Sequence, residues 1–355
     1  MDNKINLFHW GLKESFIKEY EENYQGYYLG RVVEEQKNLY KIVTEEGKML
    51  GKISGKMSYN AIERMDYPTV GDWVVVDRVN HDNGVAIING ILKRKSKFSR
   101  KVAGNRSDEQ IVAANVDNLF ICMTLNNDFN LKRLERYISL AWNSGATPVI
   151  LLTKSDLCED INEKYSQVDS IAFGIDIIVV SSVEMSGIEQ VKTYLKEGST
   201  IGFVGSSGVG KSTLVNSILN EEKQLTKDIG NGDKGRHTTT YRELIQTNLG
   251  GVIIDTPGMR EVGMLGDNES IYNSFKDIEE ISARCKFTNC SHRTEVGCAI
   301  KEAMKNGNIS VERYNNYLKL KKEAEFMERK SNKNSQRAYV REIKKRNRAM
   351  KKVKF

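Results

Sequence analysis

Residues 205–213 read GSSGVGKST, which places Gly205, Gly210, Lys211 and Ser212 in the spacing G-x-x-x-x-G-K-S. Glycines so spaced let successive backbone N–H groups close around an anion. A lysine there can bridge β- and γ-phosphates, and a following hydroxyl can ligate Mg²⁺. Ser206, Ser207, Gly208, Val209 and Thr213 complete the expected nucleotide-binding loop. About 45 residues later VIIDTPG ends an apolar run with Asp255 and Gly258. Asp255 is placed to hold Mg²⁺, and the Gly258 amide to meet a γ-phosphate.

A purine reader is also present, upstream of the loop. In TKSD, Asp156 can accept from both the N1 and N2 donors of guanine, a pair that adenine lacks. Lys154 can lay its stem along the purine, and Thr153 stands where guanine motifs commonly carry Asn. In VVSS, backbone amides near Ser181 and Ser182 could meet the guanine O6. The expected ligands are therefore GTP and GDP with Mg²⁺. The position after Gly258 is Met259, which has no polar head to orient an attacking water. His237, in KGRHTTT, is the best remaining candidate for that work, the alternative being a solvent-exposed loop histidine. Thr239 is the expected switch ligand to Mg²⁺, with Thr238 and Thr240 left open.

A second constellation lies further on. Cys285-x4-Cys290-x-His292-x5-Cys298 offers three thiolates and one imidazole. Four such donors fill a tetrahedral Zn²⁺ shell with no open position, which favours a structural ion over a catalytic one.

The elements that must position these residues change texture along the chain. Residues 1–25 carry a helical pattern and read as an arm or short helix. Between 26 and 103, five short β-rich runs (YLGRVV, LYKIVT, MLGKIS, DWVVVDRV, VAIINGIL) predict a small OB-like barrel, with SYNAIER as its helical insertion. Pattern alone leaves an SH3-like barrel open. Trp73, Tyr27 and Tyr28 could stack on RNA or fill the core. KRKSKFSRKVAGNRSDEQ reads as a basic linker. From 104 to 267, strands and helices alternate, which predicts a mostly parallel sheet covered on both faces. Residues 268–330 read as helical around the Cys/His cluster, and 331–355 as a basic tail.

Here the order of motifs becomes interpretable. The base readers precede the phosphate loop, yet a sheet does not record chain order. Every strand end can still meet on the edge where α/β folds bind ligands. The central domain is thus expected to be a circularly permuted P-loop GTPase. On GSSGVGKST, GRHTTT, DTPGMRE and the Cys/His run, residues 27–329 resemble the ribosome small-subunit-dependent GTPase family of bacteria. The resemblance implies an N-terminal OB barrel that binds rRNA, a permuted GTPase and a C-terminal zinc domain. It also implies GTP hydrolysis stimulated by the small subunit during late maturation, and it likewise points to His237. The arm and the tail are less characteristic of the family and take no role from it.

Bulk properties agree. A chain of 355 residues exceeds one ordinary core, so several domains are required. Residues 319–355 hold 15 Lys/Arg against 4 Asp/Glu, so the net +7 belongs to the tail, as a solvated helix or a contact for a polyphosphate partner. Five cysteines, an odd number, and no export signal argue against a disulfide framework. Cys122 and Cys158 read as packing residues. No apolar run spans a bilayer, so a cytoplasmic monomer without membrane attachment is expected. One rival reading is a nucleotide-gated RNA-binding protein on ribosomes whose hydrolysis is incidental. A factor of the large subunit is another.

Overall fold

The computed structural model describes residues 4–36, 39–61, 64–79, 84–101, 109–219, 243–255, 271 and 274–331. The chain forms two compact units, 1–263 and 264–355.

The first unit begins with a short 3-10 turn, Leu7–Trp10, whose Asn6 side chain caps Phe8 N, and helix α1, Glu14–Asn23. This leading segment is packed rather than extended. Leu7, Trp10, Leu12 and Phe16 are buried, and the Phe16 ring lies 6.0 Å from that of Trp73. Next come β1 (Tyr28–Gln36), β2 (Leu39–Thr44), β3 (Gly47–Ile53), α2 (Gly55–Asn60), β4 (Trp73–Val76) and β5 (Ala86–Ile91). β1 pairs antiparallel with β2 and β4, β2 with β3, and β4 with β5, while β3 and β5 run parallel. These pairings close a five-stranded barrel with α2 between β3 and β4, the OB-type arrangement. Alternate residues Val32, Ile42, Met49, Val74, Val76 and Ile88 fill it. Trp73 is fully buried and takes no part in a stacking surface, whereas Tyr27 and Tyr28 are exposed.

Part of the stretch read as a basic linker is strand: β6 (Lys97–Lys101) pairs antiparallel with β7 (Glu109–Ala114). Its one deeply apolar position on β6 is Phe98, too sparse a pattern to announce a strand.

β8 (Asn118–Thr124), β9 (Thr147–Thr153), β10 (Asp176–Val179), β11 (Thr200–Val204) and β13 (Val252–Asp255) stand in the order β10-β9-β8-β11-β13, all parallel. β12 (Glu243–Gln246) runs antiparallel to β13 and also touches β1 at Glu34, so the sheet continues into the barrel. Helices α3 (Leu131–Ser144) and α4 (Ile161–Asp169) bury Leu134, Ile138 and Val168 with Leu119, Ile121 and Leu152 on one face. Helices α5 (Ile188–Lys192) and α6 (Lys211–Leu219) bury Val191, Leu214 and Ile218 with Phe120, Cys122 and Leu151 on the other. The alternation along β8 follows from the two-residue period of a strand.

Arg31 joins these parts. It is fully buried and stacks over Trp73 at 5.3 Å. Its guanidinium donates to the carbonyls of Trp10 and Gly71 and to Thr200 Oγ1 at 3.0 Å. Desolvation lowers its pKa to about 10, with Asp117 and Asp72 opposing. Gly71, beside it, has φ +93°, and a β-carbon there would overlap the Ala114 carbonyl oxygen. Gly71→Ala is therefore expected to lower the unfolding temperature of the first unit by about 5–10 °C, measured by thermal melting, because the backbone must move.

The second unit comprises Ile271, α7 (Lys276–Ser282), α8 (Ala299–Lys305) and α9 (Val311–Ser331) within its described residues. Ile271, Phe275, Ile278, Ile300, Ile309, Tyr314, Tyr317 and Leu320 form its core. Arg313 is paired with Asp277 at 2.9 Å.

Candidate nucleotide site and metal centre

Parallel pairing brings the carboxyl ends of β8, β9, β10, β11 and β13 to one edge of the sheet. The chain enters at β8, winds outward to β10 and returns on β8's other side at β11. The crevice at such a reversal is where open α/β sheets bind ligands. Of the predicted pieces, residues 153–156, 181–182, 205–213 and Asp255 lie at or just beyond these strand ends.

The phosphate loop leaves β11 and runs into α6. Gly205 is needed for close approach, since a β-carbon would come within 2.6 Å of the Cys122 carbonyl oxygen. Val209 is buried and anchors the turn from below. Gly208, Ser207, Ser212 and Thr213 are exposed, and Ser206 and Gly210 half-buried. The Lys211 ammonium donates to the carbonyls of Gly205 at 2.6 Å and Ser206 at 2.8 Å, which curls the side chain over the loop. Cys122, packed beneath, has its thiol pushed up to about 12 by burial, against the opposing Lys211 charge, and is inert.

The loop that carries TKSD leaves β9. Thr153 is buried, and its hydroxyl donates to the Val209 carbonyl at 2.8 Å. A threonine thus ties the TKSD loop directly to the 205–213 loop. Lys154 adopts the left-handed conformation at φ 58°, which is strained for a residue with a β-carbon and is typical of functional turns. Asp156 is exposed, and one of its oxygens accepts from Ser181 Oγ at 2.6 Å. Ser181 is itself buried and accepts from Glu184 N at 3.1 Å. Ser181 therefore orients the carboxylate through its hydroxyl. Ser182 follows it, half-buried. Asp255 closes β13 on the same edge. Gly258, Met259, His237 and the Thr238–Thr240 run lie outside the described residues.

In the second unit, the ligand atoms of Cys285, Cys290, His292 and Cys298 all lie within 4.8 Å of one another. Cys285 Sγ stands 3.5 Å from His292 Nδ1 and 4.0 Å from Cys298 Sγ, and His292 Nδ1 is 3.4 Å from Cys298 Sγ. A tetrahedral ion with bonds of about 2.0–2.3 Å requires edges of about 3.5–3.8 Å, so the cage fits a metal. Burial pushes the Cys285 thiol up, but backbone N–H groups of Ile300 and Ala299, at the start of α8, hold it below its ordinary value. That favours the thiolate a metal requires. Ser282 Oγ lies 3.1 Å from His292 Nε2, leaving Nδ1 as the ligating nitrogen. Nothing in the sequence spacing marked Ser282, because only the fold of α7 brings it to the ring.

The topology and the convergence on one edge define a circularly permuted P-loop GTPase. The chain matches the RsgA GTPase family model over residues 91–265. It is 44% identical over 330 residues to Small ribosomal subunit biogenesis GTPase RsgA 1 of Oceanobacillus iheyensis, covering 92% of this chain and 94% of that protein. It is 42% identical to Small ribosomal subunit biogenesis GTPase RsgA 2 of Lactiplantibacillus plantarum, over 91% of this chain and 90% of that one. The chain belongs to the RsgA GTPase family. Among solved structures, YjeQ from Thermotoga maritima superposes with a TM-score of 0.63 at 30% identity, covering 84% of this chain and 98% of that one. YloQ, a circularly permuted GTPase, shares the fold with a TM-score of 0.61, over 86% of this chain and 97% of that one.

Proposed function

We propose that this protein binds the small ribosomal subunit, assists its late maturation, and hydrolyses GTP to GDP and phosphate when the subunit stimulates it. One observation carries the reading. A single sheet edge holds Lys211 curled over the phosphate loop, Thr153 bonded to that loop, and Asp156 held by Ser181. The names of close relatives, small ribosomal subunit biogenesis GTPases, support the partner.

In this reading the backbone of residues 205–213 wraps the phosphates and Lys211 neutralises them. Asp156 reads the guanine N1 and N2 donors, and Lys154 covers the ring. Backbone amides near Ser182 serve the guanine O6. Ser212, Thr239 and Asp255 would hold Mg²⁺, which when bound neutralises charge on the phosphates. The Gly258 amide meets the γ-phosphate. His237 positions the attacking water, because Met259 cannot. Catalysis here is chiefly positioning and electrostatics. The barrel and the basic tail supply contacts to rRNA. Cys285, Cys290, His292 and Cys298 would hold one structural Zn²⁺. The protein acts as a cytoplasmic monomer, and no helix among the described residues is long and apolar enough to cross a membrane.

The direct test is the GTPase rate with and without isolated small subunits. A rate that subunits leave unchanged removes the proposed partner. Base recognition has its own test. Asp156→Asn replaces a two-fold acceptor by a mixed amide, and the preference for GTP over XTP is expected to fall by roughly tenfold to a hundredfold. Competition binding of the two nucleotides measures it, and an unchanged preference would assign the base to another residue.

A further inference from the structure

The phosphate loop is tied at one more point, and the residue responsible lies outside every nucleotide motif. After β8 the chain makes a short loop, residues 125–130, before α3 begins. Within it, Asp128 Oδ2 accepts from Ser206 Oγ at 2.8 Å. Ser206 is the second residue of the phosphate loop, and its carbonyl is one of the two that hold the Lys211 ammonium. A bonded chain therefore runs from Asp128 through Ser206 to Lys211.

Asp128 is itself fixed. Arg133, in the first turn of α3, donates to Asp128 Oδ1 at 3.1 Å, stands 2.8 Å from Oδ2, and also bonds the Asp128 backbone carbonyl. Asn130 caps α3 by accepting from Arg133 N at 3.0 Å, which sets the turn that aims the arginine. The loop is held on its other side too. Lys164 of α4 donates to the Leu125 carbonyl at 2.5 Å and lies 5.7 Å above the Phe129 ring. α4 follows the base-reading loop in sequence, so this short loop is braced from the base side and bonded to the phosphate side. Hydrogen bonds from Ser206 and Arg133, with the nearby Lys154 charge, keep the Asp128 carboxyl below the usual carboxylate range.

We infer that Asp128 is a positioning residue for nucleotide binding, acting through Ser206 to hold the phosphate loop and Lys211 in their binding arrangement. It does not touch the nucleotide. It carries charge at a point where a hydroxyl, not a phosphate, needs an acceptor, so its negative charge is spent on Ser206 and Arg133 rather than set against the ligand. A loop already bent to receive phosphate loses less freedom on binding than one that must be ordered. The inference rests on residues 205–213 being the phosphate site.

The experiment measures release of fluorescent GDP and of a fluorescent non-hydrolysable GTP analogue from the full-length protein by stopped flow. Asp128→Ala is expected to speed release of both by about threefold to tenfold, the effect of losing one charge-assisted hydrogen bond at a partly exposed site. Asp128→Asn keeps an acceptor for Ser206 and is expected to recover most of the difference. Ser206→Ala should match Asp128→Ala, and the double variant should release no faster than either single one, because both remove the same bond. The preference for GTP over XTP should stay at the wild-type value, since the base readers are untouched, and a collapsed site would not preserve it. Lys211→Ala is the control. Normal release from Asp128→Ala beside a defective Lys211→Ala overturns this inference alone. So does additivity of the Asp128 and Ser206 effects, or failure of Asn to recover release. Wild-type affinity in Lys211→Ala overturns the phosphate-site reading and this inference with it.

Discussion

Lys211→Ala is expected to lose affinity for GDP and GTP alike, by roughly thirtyfold to a hundredfold, because a cation–phosphate contact is worth about 2–3 kcal/mol. The Lys211 ammonium bonds two loop carbonyls, at 2.6 and 2.8 Å, which fix its side chain over the loop. Removing it leaves the Gly205 and Ser206 carbonyls without that donor and lets the loop relax. His237→Ala should behave differently. It is expected to keep nucleotide affinity and slow subunit-stimulated hydrolysis by roughly tenfold to a thousandfold, the scale of a lost positioning group. The measurement is nucleotide affinity beside stimulated turnover for both variants. Equal losses of binding would make His237 structural, and wild-type turnover would remove it from the reaction.

Metal removal is expected to have the second large effect, and a local one. The apolar core of the second unit rests on a few side chains, among them Phe275, Ile278, Ile300, Tyr314 and Tyr317. Crosslinking through Cys285, Cys290, His292 and Cys298 would hold the segment between α7 and α8 to that core. A small domain of this kind draws much of its folding free energy from its metal, about 10–16 kcal/mol of binding in the strongest cases. Cys290→Ser, or a strong chelator, should therefore abolish the melting transition of the second unit and reduce zinc content from one per chain. Nucleotide binding by the first unit should persist. Elemental analysis and calorimetry read the two quantities. An unchanged melting profile in metal-free protein would show that the cage is dispensable.

What the sequence by itself determined was the inventory and its chemistry. The spacing in GSSGVGKST, the carboxylate in TKSD and the three cysteines with one histidine were legible because each is local. Loop geometry and ligand number constrain residues close in the chain. The run of alternating strands and helices was legible for the same reason, since burial on a sheet or helix face imposes a short period. Tertiary structure decided the rest. Within KRKSKFSRKVAGNRSDEQ, residues 97–101 form a strand because Phe98 finds a core made by distant residues, a fact the stretch's composition hides. Trp73 is interior because α1 and Arg31 close over it. Thr153 stands where guanine motifs commonly carry Asn, and its hydroxyl bonds the Val209 carbonyl, 56 positions away in sequence. Asp128 meets Ser206 across 78 positions, and Arg31 meets Thr200 across 169. Such contacts depend on which strands become neighbours. Strand order follows from the burial of many faces at once, and no single segment carries that information.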